Sequence, residues 1–139
     1  MSAVIEAVRE YFEKAQHDDV VSAYVFGSHT TERAHRESDV DVAVLFDYAA
    51  AVDRKARGVR QIELNAELVG ATQHNRVDVV VLNDAGPELG HEVVHHGTRI
   101  FTSNPEADHA FQRTVQLRYA DLRPFLDRSR RTKLRAILR

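Results

Sequence analysis

Between Ala23 and Phe46 the chain sets two short β-branched apolar runs on either side of a polar loop, and no other stretch constrains the fold as tightly. The first run ends at Gly27-Ser28; ten residues later Asp39-Val-Asp41 opens the second, which continues to Phe46. Alternate side chains of a strand share a face, so Asp39 and Asp41 are expected to project side by side. Carboxylates held that close repel, and folding suffers unless a cation or proton lies between them. Gly27-Ser28 brings a backbone without Cβ and a hydroxyl to the end of the first strand. That combination turns sharply and can aim N–H groups at an anion. A dication site facing an anion site suits a metal-bound nucleoside triphosphate.

The rest of the chain supplies elements to cover these strands. Val4, Ile5, Val8, Tyr11, Phe12 and Ala15 recur at helical spacing and predict an amphipathic helix over 2–16. A strand over 20–26 follows, then a short helical turn and exposed loop over 28–37, then a strand over 40–46. A second helix is expected over 50–70, with Val52, Ala56, Val59, Ile62, Ala66 and Val69 along its buried stripe and Gly70 ending it. Val77 to Leu82 is nearly continuously apolar and predicts a strand buried on both faces. A helix over 87–96, an edge strand over 98–102, one or two helices from Pro105, and a basic helical stretch over 128–139 complete the order. Alternating periods of this kind imply an α/β or α+β sandwich. At 139 residues, 43% apolar and 29% charged, the chain is sized for one domain. It has no eighteen-residue apolar run, no basic-then-apolar leader and no cysteine, which predicts a cytoplasmic protein without a membrane span or disulfide chemistry.

Asp78 is the one charge in Val77-Asp-Val-Val-Val-Leu82. Buried without a partner it would cost several kcal/mol; at a strand end it could meet solvent or pair with Arg76. The residues alone leave both readings open.

Gly27-Ser28, ten residues, then Asp39-Val-Asp41 resembles the signature of the nucleotidyltransferase superfamily that includes DNA polymerase β. The short length is similar to its minimal (MNT) branch, the MntA-like antitoxins encoded beside HEPN ribonuclease toxins. The resemblance covers roughly residues 1–125, read as a minimal nucleotidyltransferase domain with a small mixed sheet flanked by helices; 126–139 is read as a basic helical tail and partner-docking segment. It implies that Asp39, Asp41 and Asp78 hold two Mg²⁺ ions and carry catalysis, with Asp78 acting on the attacking hydroxyl. Gly27, Ser28 and Ser38 would bind the nucleotide, ATP by the family's habit. Relatives often carry Arg-Gly where Thr31-Glu32 stands, and Arg33 and Arg36 could supply the missing positive charge. The implied reaction is transfer of AMP to a tyrosine hydroxyl of a cognate HEPN toxin. Two alternatives stand beside it: a non-catalytic antitoxin that neutralises by binding, and a nucleotidyltransferase acting on a small molecule.

Two further features admit readings of their own. His91-Glu-Val-Val-His95 spells a zincin pattern, but Thr98 stands where the extended form has glycine, and with eight histidines present an accidental match is easy. Charge is split along the chain. Residues 1–112 hold ten Lys/Arg against nineteen Asp/Glu, and 113–139 hold nine against two. An acidic body with a basic tail suggests a metal-using site and an anionic partner. A solvated helix and a partner-docking helix both fit the tail; direct nucleic-acid binding fits it less well, because aromatics for stacking are few.

Overall fold

The computed structural model describes residues 3–14, 17–27, 40–73 and 76–138. A four-stranded mixed sheet in the order β3-β2-β1-β4 lies between two pairs of helices. β1 (Val20–Phe26) runs antiparallel to β2 (Val40–Phe46) and to β4 (Thr98–Thr102), while β2 and β3 (Val77–Val81) are parallel. The parallel pair is joined by α2 (Arg54–Thr72), as a crossover requires. α1 (Ala3–Lys14) and α2 cover one face. α3 (Pro87–His96) and α4 (Pro105–Leu138) cover the other. No helix among the described residues is long and apolar enough to cross a membrane.

The first face is an apolar layer. Ile5, Val8 and Phe12 descend from α1 at three- and four-residue spacing onto Val20, Ala23 and Val25 of β1 and Val40, Val42, Val44 and Phe46 of β2. α2 contributes Leu64 and Leu68. At about 25 cal/mol per Å² of apolar surface removed from water, this layer supplies most of the driving force for folding.

α2 departs from the sequence reading in three ways. It begins at Arg54 rather than 50, because Asp47 first closes a turn by accepting from the backbone N–H of Ala49 and Ala50 and Asp53 then caps the helix by accepting from Ala56. It runs past Gly70 to Thr72, and Gln73 takes the left-handed position (φ 51°). Its buried side is also not the predicted stripe: Val52, Val59 and Ile62 are exposed, Ile62 at 72%. Four polar contacts set the rotation. Arg57 is buried, donates to both oxygens of Asp84 (2.8 and 3.0 Å) and to the Ala51 carbonyl (2.9 Å). Gln61 donates to the Val79 carbonyl (2.6 Å) and Asn65 accepts from the Val79 N–H (3.2 Å). Residues 57, 61, 64, 65 and 68 lie on one helical face, so satisfying β3 outweighed the apolar count of the opposite side.

β3 is correspondingly an edge strand buried on one face only. Val77, Val79 and Val81 are covered, whereas Asp78 is exposed and Val80 half-exposed. It stops at Val81, and Leu82–Asp84 form a 3₁₀ turn. From that turn Asn83 donates to the Phe46 carbonyl and accepts from the Phe46 N–H (both 2.9 Å), closing the end of β2.

The second face is held partly by polar contacts. Tyr24 on β1 donates its hydroxyl to Asp108 of α4 (2.7 Å), and Arg99 on β4 donates to the same carboxylate (2.8 Å). Gln112, one turn along α4, donates to Tyr24 Oη (2.9 Å) and Asp108 Oδ2 (3.0 Å). Asp108 is 0% exposed, and the cluster ties α4 to two strands. Burial and the adjacent Asp108 carboxylate hold the Tyr24 phenol far above its ordinary pKa, so it remains a donor.

Candidate functional site

The antiparallel β1–β2 pairing brings the C-terminal end of β1 beside the start of β2, and the parallel β2–β3 pairing brings the start of β3 to the same place. One row of partners therefore crosses three strands: Phe26 opposite Asp41, and Asp41 opposite Asp78. Directly paired residues project to the same side, with strands roughly 4.8 Å apart. Asp41 and Asp78 thus stand as neighbours on the α3/α4 face, Asp41 half-buried and Asp78 exposed. The exposure settles how β3 accommodates its charge: the carboxylate faces solvent beside another carboxylate.

Gly27 follows Phe26 with φ +81°, the left-handed region that glycine adopts without a Cβ penalty. A Cβ built there would collide with the Asp41 carboxylate. The missing side chain lets the end of β1 close directly over Asp41, which brings a backbone N–H to the edge of an acidic pair.

Three of the residues singled out from the sequence, Gly27, Asp41 and Asp78, are therefore gathered at one end of the sheet. Asp39, Ser28, Ser38, Arg33 and Arg36 lie outside the described residues, as does the predicted turn over 28–37. Among the described residues no group of three His, Cys, Asp or Glu is arranged to hold a metal. The two carboxylates present still fit Mg²⁺: they are hard oxygen donors set side by side on one face of the sheet, where a dication between them would offset their mutual repulsion.

Two features escaped the sequence reading. The Tyr24–Asp108–Arg99–Gln112 cluster lies on the same face, two residues along β1 from the Phe26–Asp41 row. Its one sequence trace is an aspartate at the start of α4 that turns out to be buried. A cleft of about 430 Å³ opens at the far end of β2, between Leu45, Leu82, Gly90, Ala110 and Phe111, with Arg118 at its rim. It shares no residue with the carboxylate row, and its mainly apolar wall is unsuited to a triphosphate.

The zincin-like pair does not form a metal centre. His91 stacks on Tyr119 of α4 (centroids 3.7 Å, 8° between planes) and His95 stacks on His91 (5.2 Å, 12°). Their rings lie parallel, one above another, and fasten α3 to α4. Desolvation in the stack, then the positive fields of His95 and His96, push the His91 pKa below its ordinary value.

The comparisons agree with this geometry. No curated protein sequence matches the chain. A chain of a toxin–antitoxin complex solved with AMP-PNP superposes with TM-score 0.66 at 24% identity, over 97% of this chain and 98% of that one. The MntA–HepT toxin–antitoxin structure gives 0.61 at 20% identity, over 98% and 97%. The tri-AMPylated Shewanella oneidensis HEPN toxin in complex with MNT antitoxin gives 0.62 at 22%, over 97% and 99%. At these scores and coverages the chain shares its fold with these structures. The family model described as polymerase beta, nucleotidyltransferase matches residues 6–106, which span Gly27, Asp41, Asp78 and every strand; the chain belongs to the polymerase β nucleotidyltransferase family.

Proposed function

We propose that this nucleotidyltransferase is an antitoxin that transfers AMP from ATP to a hydroxyl, a tyrosine of a HEPN ribonuclease toxin. The observation that carries the proposal is the direct pairing of Asp41 with Asp78, closed over by Gly27. Support for the substrate and acceptor comes from the structural neighbours, one solved with AMP-PNP and another holding a tri-AMPylated HEPN toxin.

In this mechanism the Gly27 N–H and the Ser28 hydroxyl orient the β- and γ-phosphates, aided by Ser38, Arg33 and Arg36. Asp39, Asp41 and Asp78 would hold two Mg²⁺ ions, which when bound offset charge on the entering and leaving oxygens. The acceptor oxygen attacks the α-phosphorus in line, the bond from that phosphorus to the bridging oxygen breaks, and pyrophosphate leaves. The hydroxyl proton passes to Asp78, whose exposure leaves it open to a partner's side chain. The chain's own part is positioning: three strands hold acceptor, phosphates and carboxylates at one sheet end.

Intact-mass measurement of both proteins after mixing with ATP and Mg²⁺ tests this. The expected result is AMP-sized increments on the toxin, absent with EDTA and formed far more slowly with Asp41→Asn or Asp78→Asn. A complex whose masses stay unchanged, or neutralisation that survives Asp39→Ala plus Asp41→Ala in cells, overturns it in favour of blocking by binding alone. Increments on an added small alcohol and none on the toxin would assign a small-molecule acceptor.

A further inference from the structure

α4 is longer than its own domain needs. It packs on the body through Ala107, Asp108, Phe111, Val115 and Tyr119. Residues 120–138 then continue for about 28 Å at 1.5 Å per residue. Helices draw most of their stability from packing one face. In this half Phe125 is 62% and Ile137 77% exposed, and Leu134 is also exposed. Pro124 interrupts the backbone ladder, and among the described residues no ion pair forms beyond Asp108.

The side chains are sorted around the helix. At 100° per residue Leu122, Leu126 and Ile137 fall within about 60° of one another, and Arg128, Arg131 and Arg135 fall within about 60° on the opposite side. Phe125 and Leu134 flank the apolar stripe. Arg123, Arg130 and Lys133 lie inside the apolar half, so whatever covers the stripe must also satisfy three cations. Six Lys/Arg stand against two aspartates over 120–138. A second arm of the same kind would set cation against cation. A bilayer would accept the stripe but draw Arg130 and Lys133 toward hydrocarbon. A nucleic acid would find one aromatic, Phe125, since Tyr119 is held against His91. A protein groove with an apolar floor and carboxylates along it meets every part of the pattern.

We infer that residues 122–137 dock into an acidic, apolar-floored groove of a protein partner and, resting on the function proposed above, that this partner is the HEPN acceptor. The arm delivers the acceptor to the sheet end without touching the reacting atoms, so its loss raises KM for the protein acceptor and spares kcat.

Two full-length variants test this: Arg123→Glu with Arg130→Glu and Lys133→Glu, and separately Leu126→Ser with Ile137→Ser. Titration calorimetry against the HEPN protein and steady-state AMP transfer are read together, with circular dichroism reporting helix content. Each variant is expected to weaken the Kd about tenfold or more and to raise KM in step, with kcat within about twofold of the parent. Wild-type affinity in both variants overturns the assignment. So does a fall in kcat at unchanged KM, or arm-dependent binding to phosphatidylserine vesicles or to a second copy with toxin affinity unaltered. If the variants weaken a complex in which no AMP moves, docking stands and the catalytic reading fails. If AMP moves with one KM in all three proteins, catalysis stands and docking fails.

Discussion

On the α1/α2 face, Val40, Val42, Val44 and Phe46 of β2 meet Val8, Phe12, Leu64 and Leu68 in a continuous apolar layer. The intervening residues of the same strand, Asp41, Ala43 and Leu45, turn toward α3 and α4, where the neighbours are a carboxylate pair, a buried polar cluster and an open cleft. Seven residues thus serve two purposes by parity alone. Paired carboxylates cost a fold stability where no cation lies between them, and the uninterrupted packing of the opposite face supplies the margin that tolerates them. Substitutions on the first face are therefore expected to act on stability, and those on the second to act on chemistry.

The largest effect should come from Phe12→Ala. Its ring is buried against Tyr11 (5.0 Å between centroids) and Phe101 (5.7 Å), so the substitution should cost about 3–5 kcal/mol by chemical denaturation, with transfer per folded molecule preserved. A loss of rate with the unfolding midpoint unmoved would break the division between the faces. Next comes Asp78→Asn, expected to lower transfer by about 10²–10³-fold, the scale for removing one charge-stabilising group. Its melting temperature should be unchanged or raised, since one member of a repelling pair is neutralised. Asp108→Ala sharpens the comparison, because it lies on the chemical face yet serves structure. Stranding Tyr24 Oη and Gln112, with Arg99 partly solvated, should cost about 1–3 kcal/mol. Turnover at saturating substrate should survive below the new melting temperature.

The smallest effect concerns pH. Burial, followed by neighbouring positive charge, lowers the pKa of both His91 and His17 in the fold. Their unfolded forms therefore take up protons first. The stability they confer is complete above the ordinary histidine value near 6.5 and is lost as pH falls from there through the depressed folded values. Melting curves between pH 7.5 and 5 should show this decline. His91→Phe, which keeps a ring against Tyr119, should flatten the part due to the α3–α4 stack; an unaltered slope would show that the stack does not sense protons.

Much of this was legible in the residues. The strand bounds 20–26, 40–46 and 98–102 and the helix 87–96 follow from β-branched runs and from Gly27, Pro87 and Gly97 as punctuation. Strand parity put Asp41 with Ala43 and Leu45, and the structure keeps that sorting. The buried side of α2 was not legible because it was decided by partners far away in sequence: Asp84 for Arg57, and the backbone of Val79 for Gln61 and Asn65. Counting apolar residues assigned Val59 and Ile62 to the core, and the hydrogen bonds turned them outward. β3 looked doubly buried for a related reason, since its valines do not reveal that it is the last strand of its sheet. The Tyr24–Asp108 contact spans 84 residues, and nothing local to either side chain announces it.

The bonds from Gln61 and Asn65 to Val79 have a consequence for behaviour at high concentration. A terminal strand offers its outward N–H and C=O groups to any extended peptide, including another copy of itself. At β3 the outward pair at Val79 is already taken by amide side chains of the chain's own helix. Replacing Asn65 and Gln61 with leucines would leave the helix intact and the core filled, yet open that rim to strand addition. Such a protein should melt much like its parent and still form thioflavin-binding aggregates on prolonged incubation, a failure of solubility in a domain that has not lost its fold.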